Sequence, residues 1–411
     1  MDNKHCRFCG HILKQTFADL GLSPLANEYL NESNLQCGQT NYPLKVQVCE
    51  KCFLVQADQF QKSEQIFGNY HYFSSYSKSW LKHCKSYVDM IITRLELDTS
   101  SKVLEVACND GYLLQYFLPY HIPVKGIEPA ETVAKDARAK GIDVLCHFFE
   151  EGFARELRMR EGAFDLVIGN NVLAHVPDIN SFVEGLRIVL SPRGTITMEF
   201  PHLMRLIQQC QFDTIYHEHF YYLSLLTVQE IFAKHGLTIY DVEELPTHGG
   251  SLRIYATHTS NRAQKVHKSV FSLIDQEHEF GIDNISTYRG FSDKMLKIKL
   301  NAVHLFSKWK QEGKRIAAFG AAAKGNTFLN YCGLDADVID YVVDSNPHKQ
   351  NLFLPGSLIP IVDQTKLCET KPDYLLILPW NLQAEIMNIS EYVREWGCKF
   401  VTCIPQIQIL E

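Results

Sequence analysis

Through the middle of the chain, short apolar runs alternate with stretches of helical periodicity. Lys102-Val103-Leu104-Glu105-Val106 reads as a short buried strand that gives way to polar residues and glycine. Val124-Lys125-Gly126-Ile127-Glu128, Phe164-Asp165-Leu166-Val167-Ile168-Gly169 and residues 194–200 repeat that pattern. Helices are expected in the gaps. Asp178 is placed to cap a helix over residues 179–190, with the turn Ser191-Pro192-Arg193-Gly194 stopping it. Thr227-Val228-Gln229-Glu230 reads as the capping box of another helix, ending at Gly236. Strands alternating with helices imply parallel pairing and a doubly wound sheet, whose ligands sit at the carboxyl ends of the strands.

The pattern changes on either side. Residues 1–65 are punctuated by cysteines and carry short strand-like pieces such as Leu44-Lys45-Val46-Gln47-Val48. Residues 66–260 hold the alternating unit. Residues 261–312 have helical periodicity, with Met295, Leu296, Ile298, Leu300, Val303, Leu305 and Phe306 on the repeat, and read as a connector. Residues 313–411 return to alternation, with strands expected at 315–320 and 338–343. The chain is thus expected to be α/β with three domains, 1–65, 66–260 and 313–411. No tandem repeat or low-complexity segment is apparent.

A length of 411 residues exceeds one ordinary core, which agrees with several domains. The 46% hydrophobic content is that of a folded globular chain. A net charge of −7 supplies no global field for nucleic acid, so an anionic ligand must be held by a few local groups. The sequence begins Met1-Asp2-Asn3-Lys4-His5-Cys6, without the apolar core of a signal peptide, and no run is long enough to span a bilayer. Its 13 cysteines are an odd number, and nine are scattered without regular spacing. Reduced thiols in a cytoplasmic protein fit better than a disulfide scaffold. No membrane or nucleic-acid partner is expected.

The other four cysteines form two knuckles, Cys6-Arg7-Phe8-Cys9-Gly10 and Cys49-Glu50-Lys51-Cys52. Four soft thiolates close a tetrahedral site, which suits structural zinc. Neither Cys-x-x-Cys opens a helix after a strand, so a redox pair is disfavoured. The alternative is four unrelated buried thiols.

The first strand of the alternating unit runs into Ala107-Cys108-Asn109-Asp110-Gly111-Tyr112-Leu113-Leu114, a sharp turn before a helix. About 20 residues on, Glu128 ends the second strand, where a carboxylate can accept both hydroxyls of a ribose. This fits any nucleoside cofactor, although the Gly-x-Gly-x-x-Gly of nicotinamide folds is absent. A strand–loop–helix without a ligand is the other reading. Asn170, Asn171 and His175 follow the third strand, and such groups are costly to bury unpaired.

Glu105-Val-Ala-Cys-Asn-Asp-Gly111 resembles the Glu-Ile-Gly-Ser-Asn-Asp-Gly signature of the sugar C-3′ methyltransferases. The resemblance runs over essentially the whole chain. It includes the cysteine knuckles, Asn170-Asn-Val-Leu-Ala-His175-Val-Pro-Asp178, Phe212-Asp-Thr-Ile-Tyr216-His-Glu-His219-Phe220, Gly249-Gly250-Ser251-Leu252-Arg253 and Gly320-Ala-Ala-Ala-Lys324-Gly325-Asn326. It implies a zinc-binding N-terminal domain, a Rossmann-like class I methyltransferase domain using S-adenosylmethionine, and a C-terminal Rossmann-like domain that helps hold a nucleotide-linked 4-keto-6-deoxysugar. The implied activity is methylation at C-3 of that sugar. Ala107 and Cys108 stand where the family has Gly and Ser, and Leu358 stands for the His of its Gly-Thr-His-Ile-Pro stretch.

Tyr216-His217-Glu218-His219 lies between two helical segments and is expected to be a loop. Methylating a carbon beside a ketone needs a base for the α-proton and a polar pocket for the enolate. By resemblance His219 is the base, Glu218 and Tyr216 position the sugar or the base, and His175 assists at the substrate oxygen. A metal site on His217, Glu218 and His219 is the alternative, but in an extended strand His217 and His219 point apart. An aromatic surface loop is another. The cofactor set expected from the strand ends and the resemblance is Glu105, Ala107, Asn109, Asp110, Leu113, Glu128, Pro129, Asn170, Asn171 and Tyr72. Tyr70-His-Tyr72-Phe-Ser-Ser-Tyr76 reads either as a tyrosine lid or as an interdomain hinge.

In the last region the strand at 315–320 feeds Lys324-Gly325-Asn326-Thr327, whose helix start suits a phosphate. Lys324 precedes the last glycine, so this is not a Walker loop. The expected substrate set is Tyr76, His217, Lys324, Asn326, Asp344 and Ser345. Oxygen or nitrogen methylation of a sugar, a nicotinamide-dependent nucleotide-sugar dehydrogenase and a noncatalytic sugar-nucleotide binder are the competing functions. The nucleobase and the oligomeric state are not legible, and a monomer is compatible with the sequence.

Overall fold

The computed structural model describes residues 4–60 and 74–411. Near the N-terminus, β1 (Gln15–Ser23), β2 (Tyr42–Val48) and β3 (Val55–Ala57) form an antiparallel sheet beside the two cysteine knuckles.

The central sheet is built on β4 (Val103–Val106), β5 (Val124–Ile127), β6 (Asp143–Leu145), β7 (Phe164–Asn170) and β8 (Leu190–Pro201), all parallel. A short strand, β9 (Tyr221–Tyr222), leaves this unit and pairs with β3. The N-terminal sheet therefore continues into the central part of the chain. β10 (Leu237–Leu245) and β11 (Ser251–His258) complete the central sheet, in the order β10-β11-β8-β7-β4-β5-β6. β11 is antiparallel to both neighbours, the one reversal in an otherwise parallel sheet. The helix Lys78–Leu95 leads into β4, and crossover helices include Glu131–Ala139, Glu151–Glu161 and Ile179–Val189.

Asp178 caps the last of these, accepting from the N–H groups of Asn180 and Ser181. Two local expectations differ. The helix after β9 runs Leu225–Lys234 and is capped by Ser224, three residues before the expected box, because the Ser224 hydroxyl accepts from Thr227 N. Residues 191–194 are no turn: β8 starts at Leu190, directly after the helix.

Helices Lys268–Phe280 and Phe291–Gln311 fill the connector. Met295, Ile298 and Phe306 of its repeat are buried, whereas Leu296 and Leu300 are exposed. Phe291 stacks on Phe17 of β1 with ring centroids 4.4 Å apart, which ties the connector to the N-terminal sheet.

The C-terminal sheet comprises β12 (Ile316–Phe319), β13 (Val342–Val343), β14 (Ile361–Val362), β15 (Tyr374–Ile377), β16 (Lys399–Thr402) and β17 (Gln408–Leu410), in the order β14-β13-β12-β15-β16-β17. β13 is far shorter than the expected 338–343, because Val338 and Ile339 turn back onto the Asp335 carbonyl. Among the described residues, no helix is long and apolar enough to cross a membrane.

Candidate functional site

The two knuckles are built alike. Cys6 N bonds His11 O and Gly10 N bonds Cys6 O; Cys49 N bonds Leu54 O and Phe53 N bonds Cys49 O. Gly10 and Phe53 hold the matching left-handed position, with φ of 74° and 56°. The sulfurs of Cys6, Cys9, Cys49 and Cys52 all lie within 4.8 Å of one another. Four thiolates about 2.3 Å from one zinc would stand roughly 3.8 Å apart in a tetrahedron. The observed separations of 3.6 Å for Cys6–Cys52 and Cys9–Cys49 fit that ion. Gln56 Nε2 at 3.2 Å from Cys6 Sγ and Lys51 N at 3.4 Å from Cys49 Sγ supply the outer donors that thiolates attract.

At the carboxyl edge of the central sheet, the turn after β4 winds through left-handed backbone at Ala107 (φ 59°), Asn109 (φ 50°) and Gly111 (φ 75°). A side chain at Gly111 would meet Ile142 at 2.4 Å, so the glycine is sterically required. Buried Glu128 accepts from Asn109 N at 3.0 Å and from Ala130 N at 2.9 Å. Burial pushes its carboxyl up to about 7.

Nearby, both Glu105 carboxylate oxygens, Asp110 Oδ1, Asn170 Nδ2 and Asn171 Oδ1 are buried without a hydrogen-bond partner. Burial holds the Glu105 carboxyl well above its ordinary range, and the Tyr112 hydroxyl, though close enough to oppose this, is not in hydrogen-bond geometry. Native interiors rarely leave so many polar atoms unsatisfied in one place. Donors and acceptors of this kind fit a ligand with ribose hydroxyls and an amino-acid end, as S-adenosylmethionine has. Leu113 does not belong to this edge. It is wholly buried in the apolar cluster of Cys84, Leu114 and Phe117 and presents no surface to a ligand.

Tyr72 lies outside the described residues. The turn that follows it is fastened to the same loop: Ser74 N bonds Asn109 Oδ1 at 3.0 Å and Ser75 N bonds Asp110 Oδ2 at 3.3 Å. Tyr76 is exposed, and its ring reaches His348 of the C-terminal region edge-on at 6.2 Å.

Residues 215–219 are a loop, as expected. Tyr216 and His175 flank His219, with ring centroids at 4.0 and 4.7 Å. His219 Nδ1 is 2.8 Å from Thr214 O, which makes that nitrogen the donor and leaves Nε2 as the acceptor. Burial first, then the His175 ring, pulls its pKa well below the ordinary histidine value, so the imidazole is neutral. His175 Nδ1 meets Glu218 O at 2.8 Å, and burial pulls its pKa to about 4. Glu218 is buried and takes both oxygens to the Asn27 amide at 2.8 Å. His217 does not join them. It points to Pro43 O at 3.3 Å and the Tyr42 ring, toward β2.

Lys324 donates to Asn381 Oδ1 at 3.0 Å and lies over the Trp380 ring at 5.2 Å within the C-terminal region, and it reaches across to His248 O at 3.5 Å. Asn326 is buried and donates to Ala26 O, while Asp344 accepts from Ala321 N at 2.7 Å. Asp344 thus already places a carboxylate beside the loop where a phosphate was expected. Ser345 is exposed and accepts from Gln364.

Several polar groups in this cleft had no sequence signal of their own. His248 takes the Asn171 amide at 3.2 Å and packs on Trp80. Trp80 in turn stacks on His83, which bonds Glu199 at 2.9 Å. Asp213 accepts from Trp380 Nε1 at 2.7 Å, and burial pushes its carboxyl up to about 6. Asp213 and the stretch leading to Arg253 fall inside or beside the resembling motifs, which was the one hint available.

The chain matches three families: "Putative zinc binding domain" over residues 6–67, "Methyltransferase domain" over 80–242 and "C-methyltransferase C-terminal domain" over 246–405. It is 33% identical to C-methyltransferase NovU of Streptomyces niveus over 405 residues, 98% of this chain and 96% of that one. A ubiquinone biosynthesis O-methyltransferase of Histophilus somni is 30% identical over 104 residues, 24% of this chain and 44% of that one. Among solved structures, the magnesium protoporphyrin IX methyltransferase of Synechocystis covers 43% of this chain and 83% of its own at 15% identity, with a TM-score of 0.35. Fold, sheet edge and family matches define an S-adenosylmethionine-dependent methyltransferase with a zinc-binding domain. Within that class, the chain belongs to the C-methyltransferase family that includes NovU.

Proposed function

We propose that this enzyme methylates C-3 of a nucleotide-linked 4-keto-6-deoxysugar, with His219 as the base. The observation that supports this most is the hydrogen bond from His219 Nδ1 to Thr214 O, which holds a neutral imidazole with Nε2 unprotonated. Nε2 takes the C-3 proton, and the electron pair of that C–H bond passes into an enolate whose oxygen lies at C-4. The Tyr216 hydroxyl, on a ring packed against the imidazole, supplies the donor for that oxygen, and His175, whose Nδ1 donates to Glu218 O, holds the other side of His219. S-adenosylmethionine, when bound, would supply an electrophilic methyl group: the enolate pair at C-3 would form the new C–C bond, the S–CH₃ pair would stay on sulfur as S-adenosylhomocysteine, and the C-4 ketone would be restored. Glu105, Asn109, Asp110, Glu128, Asn170 and Asn171 orient the cofactor, with Ala107 and Pro129 beside it. Tyr76 stands at the rim of the cleft, and Lys324 with Asp344 faces the nucleotide part of the substrate. The Tyr216 donor and the attraction between the imidazolium and the enolate offset the low basicity of a buried imidazole.

His219→Asn keeps much of the shape but cannot accept the proton. It is expected to bind cofactor and still lose about 10²–10⁴-fold in rate. With S-adenosylhomocysteine bound, the wild type is expected to exchange the C-3 proton of a nucleoside diphosphate-linked 4-keto-6-deoxysugar with deuterated solvent, and the variant is not. Wild-type exchange and turnover in His219→Asn would remove it as the base. A product methylated on oxygen would overturn the carbon assignment.

A further inference from the structure

Glu218 owes its setting to a segment far away in sequence. Residues 24–30 leave β1 and pass between the central sheet unit and the C-terminal sheet unit. The C-terminal unit grips this segment at three points. Asn326 Nδ2 donates to Ala26 O at 2.6 Å, Tyr29 Oη donates to Ala321 O at 2.7 Å, and Leu30 and Phe353 exchange both backbone hydrogen bonds. Between those points, Asn27 Nδ2 stands 2.8 Å from each Glu218 oxygen. The Tyr29 hydroxyl lies 3.3 Å from Asn27 Oδ1 but gives its one hydrogen to the nearer Ala321 O. The amide nitrogen faces the carboxylate, whose ionised oxygens can only accept.

We propose that Asn27, delivered by the N-terminal segment and clamped by the C-terminal unit, is a positioning residue that favours the ionised form of Glu218 and fixes its orientation beside His175 and His219. This rests on the reading of Glu218 as part of the catalytic centre. One N–H shared between both oxygens favours the carboxylate, since the protonated acid would set its own O–H beside that N–H. Burial works in the other direction and pushes the Glu218 carboxyl up to about 7, with Asn27 and then Lys349 opposing it. The remaining ionisable groups facing it are Tyr29, Asp344 through Tyr29, and His175 at the Glu218 carbonyl. Apart from Lys349, none carries a positive charge, so the amide is the main restraint against protonation. The N-terminal unit thus reaches the catalytic loop with a side chain of its own.

The test follows the carboxyl stretch in the infrared spectrum of the full-length, zinc-loaded protein as pH is varied, with Glu218→Gln subtracted to isolate the Glu218 band. Asn27→Leu removes the shared N–H donor at similar size and is expected to raise the midpoint by about one to two pH units. Asn27→Asp removes it and adds a like charge, so it is expected to raise it further. Zinc content and S-adenosylhomocysteine affinity, which do not involve Asn27, are expected to stay at wild-type values and to confirm folding. The order wild type, Leu, Asp supports the inference. An unshifted midpoint in folded Asn27→Leu overturns it while leaving the role of Glu218 intact. Wild-type methyl transfer by Glu218→Gln removes Glu218 from the catalytic centre and the inference with it. If neither Asn27 variant folds, Asn27→Ser, which retains one donor, is expected to lie between wild type and Glu218→Gln in rate, and wild-type rate with a wild-type acid limb overturns the proposal.

Discussion

Replacing Glu128 with glutamine tests the cofactor edge most directly. Each Glu128 oxygen already accepts one backbone N–H, from Ala130 or Asn109, and keeps a second lone-pair direction for a ligand. An ionised carboxylate can then take both ribose hydroxyls at once. Glutamine offers one acceptor and turns an NH₂ toward a backbone donor, so one of those contacts becomes repulsive. Hydrogen bonds to charged groups contribute about 1.5–3 kcal/mol. The expected loss of S-adenosylmethionine affinity is therefore roughly 10- to 150-fold, read by calorimetry. The pH dependence gives an independent check. Burial raises this carboxyl to about 7, so the free protein protonates it as pH falls through neutrality. Protonation removes an acceptor, and affinity is expected to weaken toward acid by up to about tenfold per pH unit. In Glu128→Gln that dependence should vanish. Equal affinities at neutral pH, or an identical acid slope in the two proteins, would show that the ribose is held elsewhere.

Further outcomes are expected from the other sites. Cys49→Ser should lose zinc and fold poorly, since a closed four-thiolate site couples metal binding to folding; full zinc content by elemental analysis would contradict the ligand set. Ala107→Gly should raise stability by about 0.5–1 kcal/mol, because left-handed backbone costs a residue with a Cβ roughly 1–2 kcal/mol, partly offset by the greater unfolded-state freedom of glycine. A denaturation midpoint that falls would mean that the alanine methyl packs usefully there.

What the sequence disclosed was whatever a local pattern can carry. Two Cys-x-x-Cys pairs are short-range chemistry, and their sulfurs do meet. Buried strands announce themselves by apolar runs, and the four expected in the central unit all form. Errors arose where two local signals competed. Thr227 and Glu230 have the capping spacing, but Ser224 precedes them and satisfies the helix first. Leu113 lies beside the cofactor turn in sequence, yet its side chain goes to the core. Long-range meetings left no trace at all. Asn27 and Glu218 are 191 positions apart, and no periodicity links them. The same holds for Trp380 with Asp213, 167 apart.

The unsatisfied atoms at the sheet edge bear on a broader point about this architecture. A buried polar group without a partner costs roughly 1–3 kcal/mol, and this edge has five such atoms on Glu105, Asp110, Asn170 and Asn171. A chain selected for stability alone would replace them with apolar residues of similar shape. Their cost is recovered only when a ligand completes their hydrogen bonds, so the protein is built to be most stable with its cofactor bound. The loop that carries Asp110 also holds the backbone of Ser74 and Ser75, through Asn109 and Asp110. A ligand that steadies Asn109 and Asp110 therefore steadies the turn leading to Tyr76, whose ring touches His348 of the C-terminal unit.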